Sequence, residues 1–198
     1  MLLNDVVVRV IEHFLRDYAG SCYGSAIAKA SGLNQKTVSN VLNRLEEHGF
    51  LKSTIVGKNK EFKLRFDDLE KAKRFLLGVE NARTLRFLDE NLKVKEVFSK
   101  TNQFIKGVVL VFGSYAKGNQ KKDSDLDVFI AGEYDARKLK QAASLYGIEV
   151  NVKHMSRENF RKALKEKDLL IKEVVSDHII LRGTEEYLDF VLSDYYGR

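Results

Sequence analysis

Along the first third of the chain, apolar positions recur at three- and four-residue steps, then switch to steps of two. Val6, Val7, Val10, Ile11, Phe14 and Leu15 form one stripe, which predicts an amphipathic helix over 6–15. SAIAKASGL (25–33) reads as a short helix stopped at Gly32, the residue best able to adopt a left-handed cap. Asn34 can cap a following helix, QKTVSNVLNRLEEHG, whose Val38, Val41, Leu42 and Leu45 recur at helical spacing and which closes at Gly49. Then FLKSTIVG and KEFKLRF read as two strands joined through Gly57-Lys58-Asn59-Lys60.

Residues 67–100 return to helical steps, with Leu69, Ala72, Leu76, Val79, Leu85 and Leu88 on the apolar side. Asp67 or Asp68 can cap this stretch, Gly78 can bend it, and it is most simply a bridge between domains that can also pair with its own copy. GVVLVFG (107–113) is a short β-branched run and reads as a buried strand. LDVFI begins a second strand, DARKLKQAASLYG a helix, and GIEVNVKHM (147–155) a third strand. The tail, ENFRKALKEKDLLIKEVVSDHIILRGTEEYLDFVL, reads as helices that cover the sheet.

Composition narrows the classes. The chain has 198 residues, enough for one or two domains, and its apolar runs are too short to cross a bilayer. MLLNDVVVRVIEHF has no basic n-region or small-residue cleavage site, so no signal peptide is expected. Cys22, the single cysteine, excludes an internal disulfide and fits a reducing cytoplasm. A net charge of +6 favours an anionic partner, nucleic acid or nucleotide.

Charge placement sharpens this. The helix after Asn34 turns Gln35, Lys36, Thr37, Ser39, Asn40, Asn43 and Arg44 outward, with no carboxylate before Glu46. A helix that enters a major groove needs such a donor-rich face. From Lys52 to Arg65 five basic residues stand against one acid, Glu61, and Lys58 and Lys60 sit where a hairpin would touch phosphates. IAKASGLNQKTVSNVLNRLEEHGFL resembles the winged helix-turn-helix domains of bacterial and archaeal transcription regulators, over roughly residues 3–66. The resemblance implies duplex DNA as partner, read by Gln35, Lys36, Thr37, Ser39, Asn40, Arg44, Lys58 and Lys60, and a homodimer reading two half-sites.

The densest chemistry lies in VFGSYAKGNQKKDSDLDVFI (111–130). Gly113 lets the backbone approach a ligand, and freed amides with the Ser114 hydroxyl can hold phosphate oxygens. After ten intervening residues, Asp125 and Asp127 share one face of a strand, where adjacent carboxylates favour a hard divalent cation, Mg²⁺. The spacing GSYAKGNQKKDSDLD resembles the signature of the DNA polymerase beta-like nucleotidyltransferase superfamily, in its minimal members, over about residues 85–185. That resemblance implies nucleotide binding by Gly113 and Ser114, with Lys117 in reach, and metal binding by Asp125 and Asp127, with two Mg²⁺ ions and a nucleoside triphosphate as substrate. It also implies a third acid on a later strand. Glu149 is the carboxylate available there and takes the general-base or third-ligand role, unless Asn151 holds that position. Lys121 and Lys122 are further candidates for the triphosphate, Tyr115 for stacking on a base, and Ser124 for orienting a carboxylate. His154 and His178 are isolated and read as ordinary structural positions.

The expected fold is therefore α+β: a winged helix domain over 1–66, a helical linker over 67–100, and a nucleotidyltransferase-fold domain over 101–198 with a short mixed sheet flanked by helices. The expected function is a cytoplasmic DNA-binding regulator that binds Mg²⁺–NTP and transfers NMP to a protein, nucleic acid or small molecule. Minimal nucleotidyltransferases of this kind include antitoxins that adenylylate a partner toxin, here a separate protein. Two alternatives remain open: a non-enzymatic transcription factor whose second half senses nucleotide or dimerises, and an RNA-modifying transferase.

Overall fold

The computed structural model describes residues 3–121 and 123–197, in an α+β arrangement of two compact units, 1–82 and 83–197.

The first unit begins with α1 (Asp5–Leu15), capped by the Asn4 side chain, which accepts from the Val7 amide at 3.0 Å. After β1 (Ser21–Tyr23) come α2 (Gly24–Ser31) and α3 (Gln35–Glu47). Between them Gly32 takes the left-handed cap at φ +67, and the Asn34 side chain accepts from the Lys36 amide at 2.8 Å. The expected stripe of α3 is the buried one: Val38, Leu42 and Leu45 are fully enclosed, while Val41 is only half-buried at its edge. Each such burial stabilises the fold by about 1.5–3 kcal/mol.

β2 (Leu51–Val56) and β3 (Asn59–Leu64) pair antiparallel from Leu51↔Leu64 to Val56↔Asn59. The connection is thus Gly57-Lys58 alone, shorter than the four-residue link the sequence suggested. Gly57 has φ +63, the positive value that a two-residue hairpin needs at its first central position. β1 adds a third strand on β3, through Cys22↔Phe62, to give the order β1-β3-β2. Three residues are too few for a period-two signal, so this strand went unread.

Residues 67–100 are not one bent helix. They form α4 (Leu69–Glu90), continuous through Gly78, and α5 (Leu92–Thr101), separated at Asn91. The early turns of α4 belong to the first unit, where Phe75 stacks on Phe50 at 4.2 Å and Lys71 donates to the His48 carbonyl at 2.7 Å.

In the second unit, a short 3₁₀ turn (Asn102–Phe104) leads into β4 (Ile105–Val111), α6 (Gly113–Lys117) and β5 (Leu126–Tyr134). Then follow α7 (Ala136–Leu145), β6 (Val150–Met155), α8 (Arg157–Glu166), α9 (Leu169–Ser176), β7 (Ile179–Arg182) and α10 (Thr184–Phe190), with a π-helical turn over Val191–Tyr195. The strands lie in the order β6-β5-β4-β7. β4 pairs antiparallel with β5 and β7, while β5 and β6 are parallel, which is why α7 must cross over between them. The tail is thus not wholly helical. Its β-branched run Ile179-Ile180 supplies edge strand β7.

Alternation then divides the sheet's faces. Val109, Val111, Leu126, Val128 and Ile130 face a cluster that includes Val94, Val97, Leu139 and Ala142, from α5 and α7. Phe129 looks the other way, onto Phe160 of α8 at 5.1 Å. Asp127, two residues earlier, shares that second face by the same period.

Candidate functional site

β4 runs antiparallel to β5 and stops at Val111, so the turn that follows lies directly over the start of β5. The Phe112 amide donates to the Asp127 carbonyl at 3.1 Å, which pins the turn there. Gly113 then adopts φ +68, and a Cβ built on it would stand 2.5 Å from Asp127 Oδ2. Only glycine permits this backbone and this closeness together. Gly113 is buried beside the Asp127 carboxylate, and Ser114, half-buried, follows it in the first turn of α6.

Asp125 is exposed just before β5, and Asp127 is half-buried within it. Two carboxylates at this spacing offer hard oxygen donors suited to one divalent cation. Among the described residues, however, no group of three His, Cys, Asp or Glu is assembled for a metal ion. The reason is visible in the register. Asp127 lies opposite Asn151 across the parallel β5–β6 pair, and Asn151 Nδ2 donates to Asp127 Oδ1 at 3.0 Å. Glu149 lies just outside β6, exposed, where its carbonyl accepts from the Leu126 amide at 2.8 Å. It borders a groove of about 640 Å³ between α7 and β6, with Val150 and Val152 among the other lining residues.

The remaining candidates scatter. Lys117 reaches Asp177, at the end of α9, with 4.0 Å between charges, a partner that no local pattern in the sequence announced. The Lys121 amide donates to Ser124 Oγ at 2.8 Å, so Ser124 closes its own turn. Tyr115 packs against the α5–α7 core cluster. Lys122 lies outside the described residues. His154 is hydrogen-bonded to the Gly132 carbonyl at 2.7 Å and lies against Tyr134, and His178 is buried against Tyr187.

On the first unit, Gln35, Lys36, Thr37, Asn40, Asn43 and Arg44 are exposed along α3, while Ser39 is half-buried. Lys58 is exposed at the hairpin turn. Lys60 is engaged instead: its ammonium lies 2.5 Å from Glu46 Oε2, donates to Asn43 Oδ1 at 3.2 Å, and sits over the Phe62 ring. Hydrogen bonds from Lys60 and then Ser53 hold the Glu46 carboxyl below the usual glutamate range. The Glu46 carboxylate is thereby paired, and the hairpin is tied to the helix. Nearby, burial pushes the Cys22 thiol up, with Asp17 and Glu61 adding to it.

No helix among the described residues is long and apolar enough to cross a membrane. No curated protein matches the chain. Two solved structures are similar in part. One is a toxin–antitoxin crystal structure with AMP-PNP, at 23% identity over 52% of this chain and 82% of that one, with a TM-score of 0.37. The other is TrmBL2, described as an archaeal chromatin protein with a novel mode of DNA binding, at 17% identity over 85% of this chain and 68% of that one, with a TM-score of 0.30. The family described as nucleotidyltransferase domain matches residues 92–194, more than half of the chain and the whole of the Gly-Ser turn, Asp125 and Asp127, and the chain belongs to that family.

Proposed function

We propose that this protein is a DNA-binding regulator whose second unit binds a magnesium nucleoside triphosphate. The observation that carries the nucleotide reading is the meeting of the Gly113-Ser114 turn with Asp127. Backbone amides and the Ser114 hydroxyl of that turn would hold phosphate oxygens, and Asp125 and Asp127 would hold the cation. Bound magnesium would supply charge neutralisation for the triphosphate. The chain's own part is to hold the cation through Asp125 and Asp127 and to bring the Gly113 backbone close beside Asp127.

For the first unit, the proposal is a winged helix. The observation that supports it is the run of exposed donors on α3 beside a basic hairpin, with Glu46 already paired to Lys60. The α3 face would lie in a major groove, with Lys58 on the backbone, in a dimer that reads two half-sites. Titration of labelled duplex DNA at two salt concentrations, with and without Mg²⁺–AMP-PNP, tests both halves together. Saturable nucleotide binding and a salt-dependent duplex affinity are expected. Equal affinity for duplex RNA of the same length would turn the reading toward an RNA-modifying enzyme.

A second reading, NMP transfer to a partner protein, nucleic acid or small molecule, is favoured by the Asp125–Asp127 pair and by family membership. In it an acceptor oxygen attacks the α-phosphorus, pyrophosphate leaves, and the acceptor proton passes to a base. Transfer of α-phosphate label to an acceptor, lost in Asp125→Asn, would establish it.

A further inference from the structure

Resting on the nucleotide-binding reading, we infer that Asn151 makes this a one-cation site, which holds a nucleoside triphosphate without transferring its nucleotidyl group. Asn151 stands at the register position beside Asp127, where an anionic oxygen would complete a second cation site. Its amide instead donates to Asp127 Oδ1 at 3.0 Å. One lone-pair direction of that carboxylate is thus occupied by a donor, and the other oxygen lies against Gly113. Turning the amide over would set oxygen against oxygen, which only a bound cation could relieve, and even then the ligand would be neutral.

Charge leads to the same conclusion. Two carboxylates and the triphosphate oxygens suffice for the one dication that the nucleotide carries. A second dication, the one that would activate an acceptor hydroxyl, needs a further anionic ligand, and the hydroxyl's proton needs a base. A carboxamide is neither. Glu149 does not take the place opposite Asp127, because the parallel pairing begins at Leu126↔Val150 and Glu149 precedes it. The site therefore favours retention over turnover.

The test counts cations. The full chain is titrated with Mn²⁺ in the presence of saturating AMP-PNP, and bound Mn²⁺ is followed by electron paramagnetic resonance. One Mn²⁺ per bound nucleotide is expected for the native protein and for Asn151→Ala, and two for Asn151→Asp. Asn151→Asp should also lose thermal stability in EDTA and regain it with Mn²⁺, because three crowded carboxylates then await a counter-ion. Asn151→Glu serves as a second variant should the aspartate fail to fold. Two Mn²⁺ per nucleotide in the native protein, or one in both acidic variants, would overturn the inference while leaving nucleotide binding intact. No nucleotide bound at all would overturn the reading on which it rests, and the inference with it.

Discussion

Gly113 and Gly118 make a matched pair for measuring how closely the Gly-Ser turn approaches Asp127. Both have φ +68, so replacing either with alanine incurs the same left-handed backbone penalty, about 1–2 kcal/mol. Around Gly118 nothing lies within 4 Å of the added methyl, and the backbone penalty is the whole effect. At Gly113 the methyl would stand 2.5 Å from Asp127 Oδ2, with Cγ at 3.3 Å and Cβ at 3.4 Å. The carboxylate must rotate away from the Asn151 amide or the turn must lift off β5. Losing a hydrogen bond to a charged group adds roughly 1.5–3 kcal/mol. Gly113→Ala should therefore lower stability by about 2.5–5 kcal/mol in all, against about 1–2 for Gly118→Ala. Calorimetry of the second unit's transition gives both values. Amide exchange at Phe112, whose N–H bonds the Asp127 carbonyl, localises the damage. Nucleotide affinity should fall in Gly113→Ala and hold in Gly118→Ala. Equal effects of the two substitutions on stability and on binding would refute the close approach, and with it the argument for this site.

Other outcomes are expected elsewhere. Arg44→Ala should weaken duplex binding, and Lys58→Ala should reduce the salt slope of log affinity by about one, both read by titration at several salt concentrations. Glu46 has its folded pKa depressed by Lys60 and Ser53, so its contribution is present above the unfolded glutamate value of about 4.3 and is lost as pH falls through the folded value. Thermal melts of the native chain and Glu46→Gln should thus differ at neutral pH and draw together as the pH falls below the unfolded glutamate value of about 4.3; parallel curves throughout would contradict the pairing. Phe129→Ala should cost about 3–5 kcal/mol in urea denaturation, because the ring is fully enclosed against Phe160.

Several features were legible because they are local. Gly32 and Asn34 punctuate α2 and α3 through their own backbone and side-chain preferences, and the two helices fall where those residues allow. The Gly-Ser pair ending β4 and the aspartates opening β5 were visible for a related reason, since period two assigns faces within a strand without knowledge of its neighbours. Strands β1 and β7 escaped notice. One is too short for a pattern, and the other is a β-branched run enclosed by helical grammar.

What the chain determined by itself was thus the kind of element, the residues that cap it, and the side of a strand on which an acid stands. Tertiary structure alone decided which groups meet. Period two gives Glu149 and Asn151 the same face, and nothing in their neighbours says which opposes Asp127. The β5–β6 register, set by packing against α7 and α8, gave that place to an amide. By the same means Lys60 was bound to Glu46 and Lys117 brought to Asp177. Contacts between distant segments depend on how strands slide and helices pack, and those energies belong to the assembled core rather than to any short stretch of residues.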